Sequence, residues 1–441
     1  MPNPILPLWE NIPDGEPRVF GNRVYLYGSH DRVAGTAFCD FKLKVWSAPL
    51  DDLGSWQCHG DSFRTRPGSA READTPWTDH ELYAPDVVEK DGKYYLYAYI
   101  VGAKGAVGVA DKPEGPFRLL SQYEYSDTVG DDGIFNDAGV LVDDDGRMYV
   151  YYGFTSSCMN ELDPSRPQRV LPGSFRHPVI DDAESVPPER RFYEASSPRK
   201  IGNTYYLIYS PRRGSRLAYA TSDSPTGPFV YRGWIIDNGI DYPAGNNHGS
   251  IACLNGQWYV FYHRMTNGTI MSRRACAEPI RILPDGSIPP VEMTSLGFDK
   301  ALDPYHPTPA DIACVLKGGC FITELDMFTR VITKITDGCV IGFKYYDFGT
   351  DTTGDGMTLA LKTRGVGVRS RVRVMLDDDT DGRCIGTAEI GTGDGIARVH
   401  CEPVTGRHAL YLVADHRVEG WMGQFFEGRE LFHLEQFVFM K

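Results

Sequence analysis

Five residues that can move a proton or grip a polar ligand stand at one recurring place in the chain: Asp14, Asp86, Asp137, Glu194 and His248. Carboxylates brought into one shared pit repel each other and are desolvated together, which drives their pKa values apart. That is the requirement of acetal hydrolysis. One group stays protonated to donate to the leaving oxygen, and another stays ionised to activate water or attack carbon. Taken singly, Asp14 in Pro-Asp-Gly-Glu is a turn residue by type, and Asp143, Asp144 and Asp145 before Gly146 are turn residues too. The shared slot is what sets the first group apart.

The slot belongs to a repeated hairpin. Residues 14–27, 84–97, 137–151, 192–210 and 247–261 each run from the slot through a short apolar segment and a Gly/Asn/Asp turn into an aromatic strand such as Tyr94-Tyr-Leu-Tyr97. Repeats of about 55 residues suit four-stranded propeller blades. Outer strands are legible as well. Residues 105–110 and 216–221 each lead into a turn of one design, Asp-Lys-Pro-Glu-Gly-Pro-Phe117 and Asp-Ser-Pro-Thr-Gly-Pro-Phe229. The expected fold is therefore all-β: a five-bladed β-propeller over residues 1–300, in which the slots converge on a central funnel. Residues 301–325, with three prolines between 301 and 317, read as a connector. Short alternating strands over 326–441 then predict a β-sandwich of jelly-roll type.

The composition narrows the partners. A formal net charge of −14 repels nucleic acid and anionic membrane, and no apolar run is long enough to span a bilayer. A small neutral oligosaccharide fits, with Trp9, Trp77, Tyr83 and Tyr193 near the slots as candidate stacking surfaces. The ten cysteines are scattered without a C-x-x-C pair and read as free thiols, mostly buried. With no basic and apolar leader at Met1, the expected location is cytoplasmic.

Residues 1–300 resemble glycoside hydrolase family 43, the five-bladed propeller enzymes acting on arabinose- and xylose-containing polysaccharides. The resemblance rests on Pro13-Asp14-Gly-Glu-Pro, Tyr83-Ala-Pro-Asp86, Asn136-Asp137, Glu194-Ala-Ser-Ser-Pro and Asn247-His248-Gly-Ser. It implies Asp14 as general base, Glu194 as general acid and Asp137 as the group that raises and orients the acid. It implies inversion, with base and acid about 6.5–9.5 Å apart. Tyr83, Asp86, Tyr193, His248 and Arg273 would face the sugar, Arg274 competing with Arg273. His248 would also hold a calcium ion near the axis; no organic cofactor is implied. Two departures stand out: Asp14-Gly and Asp137-Ala replace the family's frequent Asp-Pro, and Tyr83 replaces a frequent tryptophan.

The last domain resembles family 6 carbohydrate-binding modules over Ile335-Thr-Asp-Gly-Cys-Val-Ile-Gly-Phe-Lys-Tyr-Tyr-Asp-Phe348, as a sugar binder or a structural prop. The implied activity is removal of α-L-arabinofuranosyl or β-D-xylosyl ends from oligosaccharides. A galactosidase or galactofuranosidase on the same scaffold, and a silent sugar-binding propeller, are the alternatives. A fructan-type hydrolase lacks its Asn-Asp-Pro-Asn motif here.

Overall fold

The computed structural model describes residues 1–33, 35–351, 356–416, 418 and 420–441. Four antiparallel four-stranded sheets, over residues 16–64, 82–122, 139–170 and 192–237, follow one another with strands in simple sequential order. A fifth sheet has three strands, Ser250–Leu254, Gln257–Thr266 and Thr269–Ile280. The chain's own start lies along its outer strand. Ile5 N–H donates to Ala275 O at 3.0 Å, and the Asn3 side chain bonds the backbone of Ala277 in both directions at 2.9 Å. The first residues thus tie the last blade back to the beginning of the ring.

The repeated aromatic strand works with a proline carbonyl at the outer edge of the next blade. The Tyr27, Tyr97 and Tyr151 rings are buried between blades, and their hydroxyls donate to the carbonyls of Pro113, Pro167 and Pro225 in the next blade. A buried phenol needs such an acceptor, so each contact fixes the angle between neighbours. Separate apolar clusters fill the gaps between successive blades, and the cluster joining blades five and one includes Ile5 and Leu6.

Beyond the propeller two sheets face each other. One holds Phe321–Glu324, Arg330–Ile335, Phe432–Met440, Met357–Gly365 and Gly395–Cys401; the other holds Val315–Lys317, Val340–Asp347, Arg407–Asp415, Ser370–Leu376 and Arg383–Ile390. The stretch expected to be a connector over 301–325 is largely part of this sandwich. Thr308–Pro309 pairs with Phe432–Met440 as a two-residue edge, a position where proline's missing N–H costs nothing. The sandwich core is continuous with the gap between blades four and five. Across the junction Arg264 donates to Ala313 O at 3.3 Å, and Arg274 reaches Asp311 and Glu324. All ten cysteines are unpaired; Cys253 and Cys384 are exposed and Cys58 half-buried. Among the described residues no helix is long and apolar enough to cross a membrane.

Candidate active site

Strand register decides which slot residues meet. Opposite Tyr27, Tyr97, Tyr151, Ile208 and Phe261 stand Glu16, Asp86, Gly139, Ser197 and Ser250, one ring around the axis. Two residues earlier lie Asp14, Asp137 and His248, just before their strands begin, and Ala84 and Ala195 within theirs, the ring above. In four blades this upper position is left-handed: φ is 57° at Asp14, 28° at Ala84, 47° at Asp137 and 70° at Ala195. Such backbone is uncommon outside glycine and is tolerated best by Asp and Asn, so the strain at the alanines marks a place where the fold overrides local preference. The bulge before Ser197 brings Glu194 into the ring in place of Ala195.

Asp14, Asp137, Glu194, His248 and Arg273 line one cavity of about 360 Å3, together with Tyr83 and Tyr193. Asp86 does not. It lies in the lower ring, gripped bidentately by Arg18 at 2.9 and 2.6 Å and accepting Val140 N–H at 2.7 Å. Its expected role facing the sugar is therefore corrected: blade two offers Ala84 at the upper position. Arg18 also bonds Val140 O, Arg199 pairs with Glu16, and Ser197 donates to Glu16 at 2.8 Å and shares a 2.6 Å bond with Ser250. This salt-bridged ring closes the pit from below.

Arg273 and Arg274 point to opposite sides of their strand, as neighbours on a pleat must. Arg273 donates to Asp14 Oδ1 at 2.9 Å and forks onto both Asp31 oxygens at 2.9 Å, while Arg274 serves the sandwich. Ser29 Oγ donates to Asp14 Oδ2 at 2.6 Å and accepts Ala84 N–H at 2.7 Å. His263, fully buried, lies against Asn246 O at 3.0 Å through Nε2, which must carry the proton; its Nδ1 then accepts Asp14 N–H at 3.4 Å. Ser29, Asp31 and His263 were not anticipated from sequence. Each sits outside the hairpin slot, so repeat alignment gives no reason to select it.

The electrostatics separate the three carboxyls. Burial pushes Asp14 up, but the Arg273 guanidinium first and then the Ser29 hydroxyl outweigh it, leaving Asp14 below the ordinary range. Burial and the Asp14 charge push Glu194 to about 7, Arg273 opposing weakly. Burial, then the charges of Glu194 and Asp14, drive Asp137 well up, against a stabilising N–H from Ala195. At neutral pH the pit therefore holds an ionised Asp14 beside Asp137 and Glu194, both shifted toward their protonated forms.

Two aromatic pairs form walls: Tyr83 meets Tyr99 edge-on at 5.4 Å, and Phe154 meets Tyr193 at 4.8 Å. Trp9 and Trp77 do not reach the cavity. Trp9 packs on Trp46 at 5.9 Å, and Trp77 packs into the apolar gap between blades one and two. Phe38, Phe154 and Ile270, carried on loops and a hairpin, complete the lining.

His248 Nδ1 lies 3.8 Å from Asp14 Oδ1 and 3.7 Å from Asp137 Oδ2. Burial lowers its pKa, so the ring is neutral. Calcium takes six to eight oxygens. The two carboxylate oxygens within reach belong to the acid–base set, so the residues fit only an ion that keeps most of its water. Among the described residues, the one group of three ligand atoms within 4.8 Å of each other is Asp337, Asp415 and His416, in the sandwich.

An acidic pit with one ionised and one protonated carboxyl, closed at its floor and walled by aromatic rings, defines a carbohydrate hydrolase on a propeller. The chain belongs to the glycosyl hydrolases family 43, whose family model matches residues 1–288, and it is a glycosidase. It is 40% identical over 404 residues to a xylosidase/arabinosidase of Thermoclostridium stercorarium, covering 78% of this chain and 82% of that protein. A family 43 enzyme of Xanthomonas citri complexed with xylose superposes with a TM-score of 0.57 at 26% identity, over 66% of this chain and 93% of that one. The arabinoxylan arabinofuranohydrolase of Bacillus subtilis matches the fold across 100% of this chain and 97% of its own, with a TM-score of 0.56 and 23% identity.

Proposed function

We propose that the protein removes α-L-arabinofuranosyl or β-D-xylosyl residues from the ends of plant-polysaccharide-derived oligosaccharides, with inversion. The observation that carries this reading is the pairing of Asp14, held ionised by Arg273, with Glu194, held protonated near neutrality, across one closed pit. Asp14 takes a proton from water as the water attacks the anomeric carbon. Glu194 gives its proton to the glycosidic oxygen as that bond breaks. Asp137, more deeply buried than Glu194 and shifted the same way, keeps the Glu194 carboxyl poised to donate.

A cavity of about 360 Å3 is at the small end of the roughly 300–1,000 Å3 range of ligand clefts. Its closed floor suits a chain end. The choice of sugar follows the activities named for the Thermoclostridium relative and the xylose bound by the Xanthomonas enzyme. A calcium ion would be held by His248 and water and would supply positive charge close to the carboxyls; the acid–base steps above do not require it.

A panel of nitrophenyl arabinofuranoside, xyloside, galactoside and galactofuranoside tests the sugar. NMR of the first-formed anomer tests the stereochemistry. Turnover of the first two sugars with inverted product is expected; retained configuration, or turnover confined to hexosides, overturns the reading.

A further inference from the structure

The sandwich reaches the catalytic pit through one hairpin. Gln257–Thr266 and Thr269–Ile280 are joined at Asn267-Gly268, and Ile270, on the returning strand, lines the pit and is 40% exposed. The turn is clamped from the sandwich side. Asn267 N–H donates to Ile322 O at 2.6 Å, and Thr323 Oγ1 donates to Asn267 Oδ1 at 2.9 Å. Gly268 has φ +62°, and a Cβ there would lie 3.1 Å from the Phe321 ring. Glycine is needed at this turn for both reasons.

On the far side of Ile270 a second cavity of about 520 Å3 opens between propeller and sandwich. Tyr242, Pro243 and Ile270 wall it from the propeller, and Leu316 and Phe321 from the sandwich. No charged side chain lines it among the described residues. The Tyr242 hydroxyl is spent on Met265 O at 3.0 Å. Ile270 is thus a partition between the pit and this cavity.

The floor of the pit is sealed by the Arg18–Asp86 and Arg199–Glu16 pairs, so a glycosyl unit seated there must send the rest of its chain over the rim. We propose that the junction cavity is the subsite for the leaving-group sugar, a pentopyranosyl unit of the chain being trimmed, and that the sandwich thereby selects substrate. The walls fit that occupant. A xylopyranosyl ring has no hydroxymethyl arm and offers C–H faces to Phe321, Ile270 and Pro243, while its hydroxyls stay in water. The inference rests on the glycosidase reading above and adds the sandwich to the site.

Two variants test it. Phe321→Ala removes the aromatic wall. Ala244→Trp, at an exposed position on the cavity lining, fills the space without disturbing the core. Each is compared on a nitrophenyl glycoside and on a xylo-oligosaccharide carrying the same terminal sugar. Both should lower kcat/KM on the oligosaccharide about tenfold more than on the nitrophenyl glycoside. In a Glu194→Gln background, calorimetry with xylotetraose should show a matching loss of affinity. Equal losses on both substrates, or unchanged oligosaccharide kinetics and binding in both variants, overturn the subsite. A parent enzyme inactive on every nitrophenyl pentoside overturns the glycosidase specificity instead, so the two failures are distinct.

Discussion

Two rings of charge lie one above the other on the propeller axis, built from the same blade segments two or three residues apart. The lower ring sets Glu16 and Asp86 against Arg18 and Arg199, one cation for each carboxylate. Among the described residues the upper sets Asp14, Asp137 and Glu194 against the one guanidinium of Arg273, and that arginine also serves Asp31. Burial is similar; neutralisation is not. A buried carboxylate matched by a bidentate guanidinium is a structural tie, although burial still raises Asp86 above its ordinary value. One left without a cation keeps its proton toward neutral pH, which in water it would not do. The missing cations, more than the acidic residues themselves, distinguish the reactive ring from the supporting one.

The largest expected effect is on catalysis in the upper ring. Asp14→Asn and Glu194→Gln should each lower kcat by about a thousandfold or more while leaving oligosaccharide binding intact, as measured by steady-state kinetics and calorimetry. Asp86→Asn should do the reverse. It takes the bidentate partner from Arg18, leaving that guanidinium with Glu16 at 3.4 Å and Val140 O at 3.0 Å, and should cost about 3 kcal/mol of stability by denaturant unfolding, with kcat of the folded enzyme within a few-fold of the parent. A large kcat loss at Asp86 would erase the distinction between the rings.

The pH profile sharpens the contrast. Activity requires Asp14 ionised, so the acidic limb should lie below the ordinary carboxylate range. It also requires Glu194 protonated, so the alkaline limb should fall near 7. Asp137→Asn removes a neighbouring carboxyl and should move the alkaline limb down by about one pH unit. An unmoved limb would remove Asp137 from the acid's environment.

The last effect is on stability and its pH dependence. A carboxyl whose folded pKa is raised favours the native state at low pH, and that contribution is lost as pH rises through about 7. Glu194→Gln should therefore stabilise the protein by about 3 kcal/mol at pH 8 and by about 1 kcal/mol at pH 5, measured by thermal unfolding. Equal stability changes at both pH values would contradict an uncompensated acid.

Much of this was legible in the chain. The recurrence of aromatic strand, turn and acidic slot is enough to read five blades, because each blade must repeat its own core and its own turn. Asp14, Asp137, Glu194 and His248 follow from that repeat. Asp86 misleads because it is acidic and close, yet Ala84 stands as far before Tyr97 as Asp14 does before Tyr27; counting back from the aromatic strand corrects it. Arg273 and Arg274 are indistinguishable until the pleat assigns them to opposite faces. Phe38, Phe154 and Ile270 come from loops and a hairpin tip whose path no periodicity records. The three prolines between 301 and 317 read as a linker, whereas Pro309 lies in an edge strand where its missing donor is harmless.

The central claim is that burial and an unmatched charge hold a proton on Glu194 at neutral pH. Carbon-13 NMR of the side-chain carboxyls, with Glu194 assigned by its loss in Glu194→Gln, tests this directly. The account predicts a Glu194 resonance titrating at about 7. A Glu194 carboxyl that titrates in the ordinary glutamate range, about 4.3, would contradict it.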